Sequence, residues 1–359
     1  MAGDVQIKQF ELAEQAALLS FLRVAYPDEP RKSEPAFWHW HYLENPHTAP
    51  DNIPLWVVKD GEQIVGQLAT IPVVLKVGET ETRAIWILDF IVLPQYRGQG
   101  LGKRLVLTAG EAYPTMITLG INEQSTGVFR SLKWVALGGV HRYHRLLYPG
   151  ETFRETAGLG PLRNLLNFCY APFRPHHAQT RHTGSGVLRE ITAFDAAFAD
   201  LWQRAAAQWP CAVVRSPRSL EWQFIRQPGK KFAVRGLYQQ DQLVGYVVLF
   251  FRKEGRSGYS PKAAITDLCY DAGLSPQVVD ELLKAALRMA LERHAGSLVT
   301  DVLDPLVESR LQRLGFWRMN AAPQFMASTA GHQDLIYDER NWFLTRADSD
   351  VSIFEQPNF

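Results

Sequence analysis

The chain has 359 residues, enough for two domains of ordinary size, and its 46% hydrophobic and 21% charged residues are typical of a globular protein with sizeable cores. A formal net charge of +1 argues against a nucleic acid or another polyanion as partner, and three widely spaced cysteines argue against a disulfide framework. We find no signal-peptide pattern and no apolar run of the roughly 20 residues that span a bilayer, so we expect a cytoplasmic protein.

The first elements in chain order are an aromatic segment and a strand pair. Residues 37–42 read FWHWHY. The stretch that starts at Trp56, WVVKDGEQIVGQLATIPV, has two apolar runs joined by a polar turn, and this pattern predicts a hairpin.

The next segment, residues 85–111, carries most of the functional information. An apolar run from Ile85 to Leu93 stops at Pro94, the sequence RGQGLG follows at 97–102, and an apolar spacing typical of a helix comes next. Glycine lets the backbone approach a ligand closely, and the first N–H groups of a helix have no internal partner. Strand, glycine-rich turn and helix N-terminus therefore predict an anion site, with a pyrophosphate as the expected ligand.

Two nucleotide-binding fingerprints fail at this segment. A P-loop needs Gly-Lys-Ser/Thr, but Lys103 is followed by Arg104, and a dinucleotide loop needs a glycine spacing that is absent here. The pattern that fits is Arg/Gln-x-x-Gly-x-Gly/Ala after an apolar strand, supplied by Arg97, Gly100 and Gly102. It resembles the acetyl-CoA-binding motif of the GNAT N-acetyltransferase superfamily.

The resemblance implies an α/β fold, acetyl-CoA as co-substrate, and direct transfer of the acetyl group to an amine without a covalent acyl-enzyme. In the family, the strand before the loop splays from its neighbour and pairs with the pantetheine arm. The cofactor-binding residues that the resemblance implies are Phe90, Ile91, Val92, Arg97, Gly98, Gln99, Gly100, Leu101, Gly102, Lys103 and Asn122.

The resemblance also singles out Asp89 and Asn122 as candidate catalytic residues. Asp89 would lie beside the thioester as base or amine anchor, and burial would raise its pKa into a useful range. Its structural alternative is a strand-end or turn role. Asn122 matches an Asn that binds pantetheine or acceptor in the family, and its alternative is a turn residue. Where the family usually has a Tyr that protonates the leaving thiolate, this chain has Phe129, which cannot.

The chain contains the same unit twice. Residues 40–46 read WHYLENP and residues 222–228 read WQFIRQP, and each copy later has an Asp on an apolar strand, at Asp89 and Asp267. The order of the matches follows the GNAT topology. We therefore predict two tandem GNAT-like domains, each a mixed, mostly antiparallel sheet flanked by helices. The predicted boundaries are 1–150 for the acetyl-CoA-binding domain, 151–184 for a basic linker, 185–345 for a degenerate copy and 346–359 for a tail.

The repeat assigns roles to the two copies. In the second copy the phosphate loop is replaced by DAGLSP at 271–276, with one glycine and no arginine, so we expect cofactor binding in the first half alone. We expect the second half to wall the acceptor cleft. Family helices near the N-terminus border the acceptor, which makes Trp38, His39 and His41 candidate substrate contacts. Trp40 is repeated as Trp222, and we expect both to be core residues.

The segment between the copies is basic. Residues 141–182 hold six arginines and five histidines against two glutamates, and Pro161 to Tyr170 has the spacing of a short amphipathic helix. Two interpretations stay open: a solvated linker packed on one domain, or a docking surface for a membrane or an anionic partner. The histidines lack the spacing of a metal site, so we predict no metal.

Three functions remain open at this point. The leading one is an acetyl-CoA-dependent N-acyltransferase that acts on a small primary amine or amino sugar. A second is aminoacyl or longer-chain acyl transfer, as in other tandem GNAT-like proteins. The third is a CoA-binding sensor or scaffold without turnover, favoured by Phe129 and by the degenerate second half.

Overall fold

The computed structural model describes residues 5–49, 51–120, 123–153, 160–174, 186–252, 262–274, 276–320, 324–348 and 353. They form a mixed α/β structure around one large, continuous, mostly antiparallel sheet. Among the described residues, no helix combines the length and the apolar character that crossing a bilayer demands.

The first half supplies strands and helices in an order that the second half repeats. Its elements are β1 (Gln6–Gln9), α1 (Gln15–Ala25), α2 (Pro35–Tyr42), β2 (Leu55–Asp60), β3 (Gln63–Val77), β4 (Thr80–Val92), α3 (Leu101–Ala112), β5 (Thr115–Leu119), α4 (Glu123–Ser131), β6 (Val135–Gly139) and β7 (His141–Leu146). The connecting segment contributes α5 (Gly160–Tyr170), the helix expected from its apolar spacing.

The second half runs through the same order with one extra short strand, β9. Its elements are β8 (Val187–Ile191), α6 (Ala196–Ala206), β9 (Cys211–Val213), α7 (Pro217–Phe224), β10 (Phe232–Gln239), β11 (Gln242–Phe251), β12 (Lys262–Tyr270), α8 (Gln277–Glu292), β13 (Ser297–Leu303), α9 (Pro305–Arg313), β14 (Trp317–Arg318) and β15 (Gln324–Thr329). The chain continues with α10 (Gln333–Ile336) and β16 (Trp342–Thr345). The repeated unit predicted from the sequence is confirmed.

The two halves build their parts of the sheet in the same way. In the first half β2, β3 and β4 form an antiparallel meander, and β4 then pairs with β5 in parallel. In the second half β10, β11 and β12 form the meander, and β12 pairs with β13 in parallel. Helices α3 and α8 each follow the last strand of their meander and pack back on the sheet through apolar side chains.

The two halves exchange their last strands. Strand β7 of the first half pairs with β13, and β15 of the second half pairs with β5. Strand β9 joins β3 to β16, and β16 joins β13, so the sheet runs through both halves. The boundaries 1–150 and 185–345 stay a prediction about sequence units, but hydrogen bonding between strands does not follow them.

A reciprocal tryptophan pair marks the relation between the copies. The Trp40 indole N–H donates to the Trp222 carbonyl and the Trp222 indole N–H donates to the Trp40 carbonyl, each over 2.9 Å. The two rings stack with centroids 4.8 Å apart. Because a buried indole N–H needs an acceptor, each copy satisfies the other's donor. The expectation that both tryptophans are core residues is confirmed, since both are buried.

Candidate active site

Strands β4 and β5 pair over a short stretch and then separate. Their parallel ladder covers Ile85 to Ile87 on β4, opposite Met116 to Thr118 on β5. Strand β4 continues to Val92 and stays paired with β3. Among the described residues, no strand pairs with its other edge beyond Ile87. That edge can hydrogen-bond an extended ligand as a neighbouring strand would.

A β-bulge lies where the two strands separate. Phe90 pairs with Leu68 and Ile87 pairs with Thr70, so two residues of β4, Leu88 and Asp89, oppose a single residue of β3. A bulge bends its strand and re-aims the side chains beside it. It coincides here with the end of the β4–β5 ladder, and Asp89 lies at that point.

The glycine loop takes the conformation that its sequence requires. Gly98 has φ +77° and Gly100 has φ +73°, in the left-handed region that favours glycine, and open space lies where a Cβ would point at either residue. Gly100 is the N-cap of α3, so the loop delivers the free N–H groups of a helix N-terminus. The Arg97 Nε donates to the Val92 carbonyl over 2.9 Å and ties the loop to the end of β4.

Gly102 has a packing role. A Cβ at this residue would lie 2.8 Å from Cζ of Phe90, closer than carbon atoms pack. The ring of Phe90 therefore crosses the start of α3 at the point where a side chain is missing. Gly102 thus allows α3 to pack closely against β4, while Gly98 and Gly100 shape the loop.

Strand edge, loop and helix N-terminus line one cleft of about 530 Å³. The predicted cofactor residues on its wall are Phe90, Ile91, Val92, Arg97, Gly98, Gly100, Leu101, Gly102 and Lys103, and Asp89 lines it as well. Gln99 is exposed and is not among the lining residues. Asn122 lies outside the described residues.

The described lining residues all belong to the first half. The expectation that the second half walls the acceptor cleft is therefore not met by them. The second half contributes to this region through β15, which pairs along β5.

Three residues that the sequence reasoning missed complete the cleft. Tyr26, Glu29 and Lys32 lie at the end of α1 and in the turn that follows it. The Lys32 Nζ is 2.7 Å from Oδ1 of Asp89 and 3.2 Å from Oε2 of Glu29. It also lies 4.0 Å from the centroid of the Tyr26 ring. Two carboxylates and one ammonium leave the cluster with a formal charge of −1.

The electrostatics of the cluster follow from burial and from these contacts. Burial raises the pKa of Asp89 above its ordinary value, and the positive charge of Lys32 opposes that rise in part. Burial and the neighbouring charge of Asp89 raise the pKa of Tyr26 well above its usual range, so the phenol stays protonated. Asp89 can accept a proton more readily than an exposed carboxylate, and Tyr26 can donate a hydrogen bond.

The second half contains an equivalent ion pair, in which the cation also contacts a second carboxylate. Arg215 Nη2 is 3.2 Å from Oδ1 of Asp267 and 2.6 Å from Oδ2 of Asp348. Asp267 also accepts hydrogen bonds from Tyr246 and Thr345, and it is 1% exposed. The repeated carboxylate thus has three side-chain partners in the second half and lines a cavity of about 60 Å³, whereas Asp89 lines the cleft of about 530 Å³.

The repeat held a signal for this pair. Lys32-Ser33 and Arg215-Ser216 each stand shortly before the proline that begins a helix, Pro35 of α2 and Pro217 of α7. Aligned on these prolines, Lys32 and Arg215 fall one residue apart, so the shared cation-serine pair was the available signal.

The predicted acceptor contacts do not line the large cleft, but Trp38 and His41 line a small cavity together with Lys32 and Asp89. Trp38 is 1% exposed and packs against Phe10 and Tyr42. His41 is buried, and burial lowers its pKa to about 3. His39 is exposed, with its Nε2 3.6 Å from Oε1 of Glu44. None of the three is among the residues that line the cleft.

Phe129 occupies an apolar position. Its ring is fully buried between Phe90 and Trp134, with centroid distances of 5.8 Å and 4.5 Å. The ring supports the cofactor strand from behind. The site therefore lacks a hydroxyl at this position, and Tyr26 and Tyr96 are the phenols that line the cleft among the described residues.

Comparison with known proteins fits this geometry. Residues 6–116 match the model of the acetyltransferase (GNAT) domain. This part of the chain is therefore a GNAT acetyltransferase domain, and an acyl-CoA co-substrate is typical of GNAT enzymes. No curated protein matches the chain.

Solved structures share the fold of the chain. Saccharomyces cerevisiae N-myristoyltransferase with bound myristoyl-CoA, which has a tandem GNAT fold, matches with TM-score 0.60 and 15% identity over 91% of this chain and 83% of that one. A GCN5-related N-acetyltransferase from Anabaena variabilis matches with TM-score 0.59 and 15% identity, over 90% of this chain and 72% of that one. A conserved protein from Enterococcus faecalis matches with TM-score 0.60 and 13% identity, over 90% and 71%.

Proposed function

We propose that the protein transfers the acetyl group of acetyl-CoA directly to a small primary amine or amino sugar. The observation that carries the proposal is the free edge of β4 beyond Ile87, which shares one cleft with the glycine loop and the N-terminus of α3. An extended polar chain that ends in a pyrophosphate matches both features at once.

The fit of the cofactor rests on backbone groups. The pyrophosphate would lie on the loop from Gly98 to Lys103, where unpaired N–H groups and the helix dipole favour negative charge. The pantetheine amides would pair with the free edge of Phe90 to Val92. The thioester would then lie near the bulge at Leu88 and Asp89, where β4 and β5 separate.

The acidic cluster supports an amine as acceptor. The formal charge of −1 on Glu29, Lys32 and Asp89 attracts an ammonium group to the thioester. Asp89, with its raised pKa, takes the proton that the ammonium must lose before it attacks. Lys32 holds the Asp89 carboxylate in position.

The transfer itself exchanges one bond for another. The free amine attacks the thioester carbonyl, the C–N bond of the amide forms and the C–S bond breaks, CoA leaves as a thiolate, and the proton that the attacking nitrogen then loses passes to this thiolate or to water. A thiol has a pKa near 8.5, so at neutral pH the thiolate needs a nearby hydrogen-bond donor more than a strong acid. Tyr26 is protonated and lies on the cleft wall, where its O–H can turn from Asp89 to the thiolate, a role for which Phe129 has no hydroxyl.

A thiol-release assay tests the proposal. Acetyl-CoA and myristoyl-CoA are each incubated with the protein and a panel of small amines and amino sugars, while free CoA is followed and the product mass is recorded. We expect amine-dependent CoA release from acetyl-CoA. Acetyl-CoA binding without release for every amine would instead indicate a sensor, and release from myristoyl-CoA alone would indicate a long-chain transferase.

Two matched variants locate the chemistry. Asp89→Asn removes the carboxylate of the cluster, and Asp28→Asn makes the same change at an exposed residue that does not line the cleft. We expect the first to lose turnover and the second to keep it. Equal rates in both would contradict the role of Asp89.

A further inference from the structure

Helix α5 is attached to the body of the protein through its polar side chains. Arg163 Nη2 is 3.1 Å from Oε1 of Glu151, and Asn167 Nδ2 donates to the same oxygen over 3.1 Å. The Gly150 N–H donates to Oδ1 of Asn167 over 2.8 Å. Glu151 is 3% exposed. Surface helices ordinarily bury their apolar face, and this helix reverses the arrangement.

Three apolar side chains of α5 face solvent as a consequence, while Leu166 is half-buried. Leu162 is 39% exposed, Leu165 55% and Phe168 78%, and Phe173 just beyond the helix is 66% exposed. Single exposed apolar residues are common on proteins, but a cluster on one element marks an interaction site. We call Leu162, Leu165, Phe168 and Phe173 the α5 patch.

The positive charge around the α5 patch indicates which kind of partner binds there. Among the described residues, the charged side chains that contact α5 and Phe173 are Arg145, Arg163 and Arg174 against Glu151, a formal +2, while the whole chain carries +1. Arg145 and Arg174 hold the patch at one end: Arg145 donates to the Phe173 carbonyl and Arg174 donates to the Asn167 carbonyl. A second copy of the chain would bring the same positive charge and be repelled, whereas an anionic lipid surface offers an apolar layer beneath negative phosphates.

We propose that the α5 patch docks the protein onto anionic bilayer surfaces. The two leucines and two phenylalanines enter the boundary between headgroups and acyl chains, and the positive charge of Arg145, Arg163 and Arg174 beside them attracts the lipid phosphates. Attachment is peripheral and reversible, because one short helix buries little apolar area and the charge attraction weakens with salt.

Vesicle co-sedimentation tests this docking. The full-length protein is mixed with phosphatidylcholine vesicles with and without phosphatidylglycerol, at low and at raised salt. We expect binding to the anionic vesicles at low salt and its loss at raised salt. Absence of sedimentation with the anionic vesicles, or equal binding to both compositions, would overturn the proposal.

A pair of double variants separates the patch from general surface hydrophobicity. Leu165→Ser with Phe168→Ser removes two patch side chains, and Val24→Ser with Leu107→Ser removes two residues exposed to 68% and 51% on other helices. The patch variant should bind anionic vesicles at least about tenfold more weakly, and the control should bind as the wild type does. Melting curves should be unchanged, since all four side chains are exposed. Equal binding by both variants, or a wild-type dimer in sedimentation velocity that only the patch variant loses, would refute lipid docking.

Discussion

Gly100 provides the sharpest test of the phosphate site. Its φ of +73° and the open space at its Cβ position allow Asn and Asp, which tolerate the left-handed region better than other side chains. The two side chains have the same size and shape. The difference in CoA affinity between Gly100→Asn and Gly100→Asp therefore isolates one negative charge at the N-terminus of α3.

The size of that difference follows from Coulomb's law. Two unit charges about 4 Å apart repel by about 1 kcal/mol in water and about 4 kcal/mol at the effective dielectric near a protein surface. The Asp variant should thus bind CoA between about fivefold and about a thousandfold more weakly than the Asn variant. Repulsion from the pyrophosphate acts only if the phosphates lie on this loop.

Isothermal titration calorimetry with CoA measures the effect. The matched control is Gly61, which has φ +57° and open space at its Cβ in the turn between β2 and β3. Gly61→Asn and Gly61→Asp should carry a comparable backbone cost and leave the CoA affinity equal. Equal affinities of the two Gly100 variants, or two equivalent CoA sites per chain, would refute the reasoning.

Three further outcomes are expected. Asp89→Asn should lower turnover by roughly 10²–10⁴-fold with little change in CoA affinity. The wild-type rate should fall as the pH drops through the raised pKa of Asp89, and the pH–rate profile of the variant should lack this fall. His41 has a pKa of about 3, so it stays neutral over this range and cannot cause the fall. The fragment 1–150 should lack a stable fold by near-ultraviolet circular dichroism, because β5 loses its partner β15, and a well-folded fragment would contradict the strand exchange. Phe129→Tyr should destabilise the protein by about 1–3 kcal/mol in urea unfolding, since the buried hydroxyl has apolar neighbours, and an unchanged midpoint would show that it finds a partner.

Local patterns in the sequence predicted the parts of the fold that depend on neighbouring residues. The apolar spacing of a strand, the helix α5 and the glycine loop are each encoded by residues a few positions apart. The repeat of Trp40 and Trp222 predicted two copies of one unit. The exchange of β7 and β15 was not predicted. Their partners lie about 150–210 residues away, and a short strand carries no mark of which edge it will join.

The candidate site was predicted in part for the same reason. The cofactor strand and loop are contiguous in sequence and line one cleft, with Gln99 exposed and Asn122 outside the described residues. Lys32 reaches Asp89 only through the fold. The contact of Trp38 and His41 with the acceptor stays a prediction: both are buried in α2 and line a small cavity with Lys32 and Asp89, not the large cleft.

A structure of the protein with CoA bound is the most direct test of the central claim, that one acyl-CoA binds where β4 separates from β5. We predict one CoA per chain, with its pyrophosphate on the loop from Gly98 to Lys103, its pantetheine along Phe90 to Val92 and its sulfur near Asp89. CoA bound in the second half, or bound with the free edge of β4 unused, would contradict the assignment.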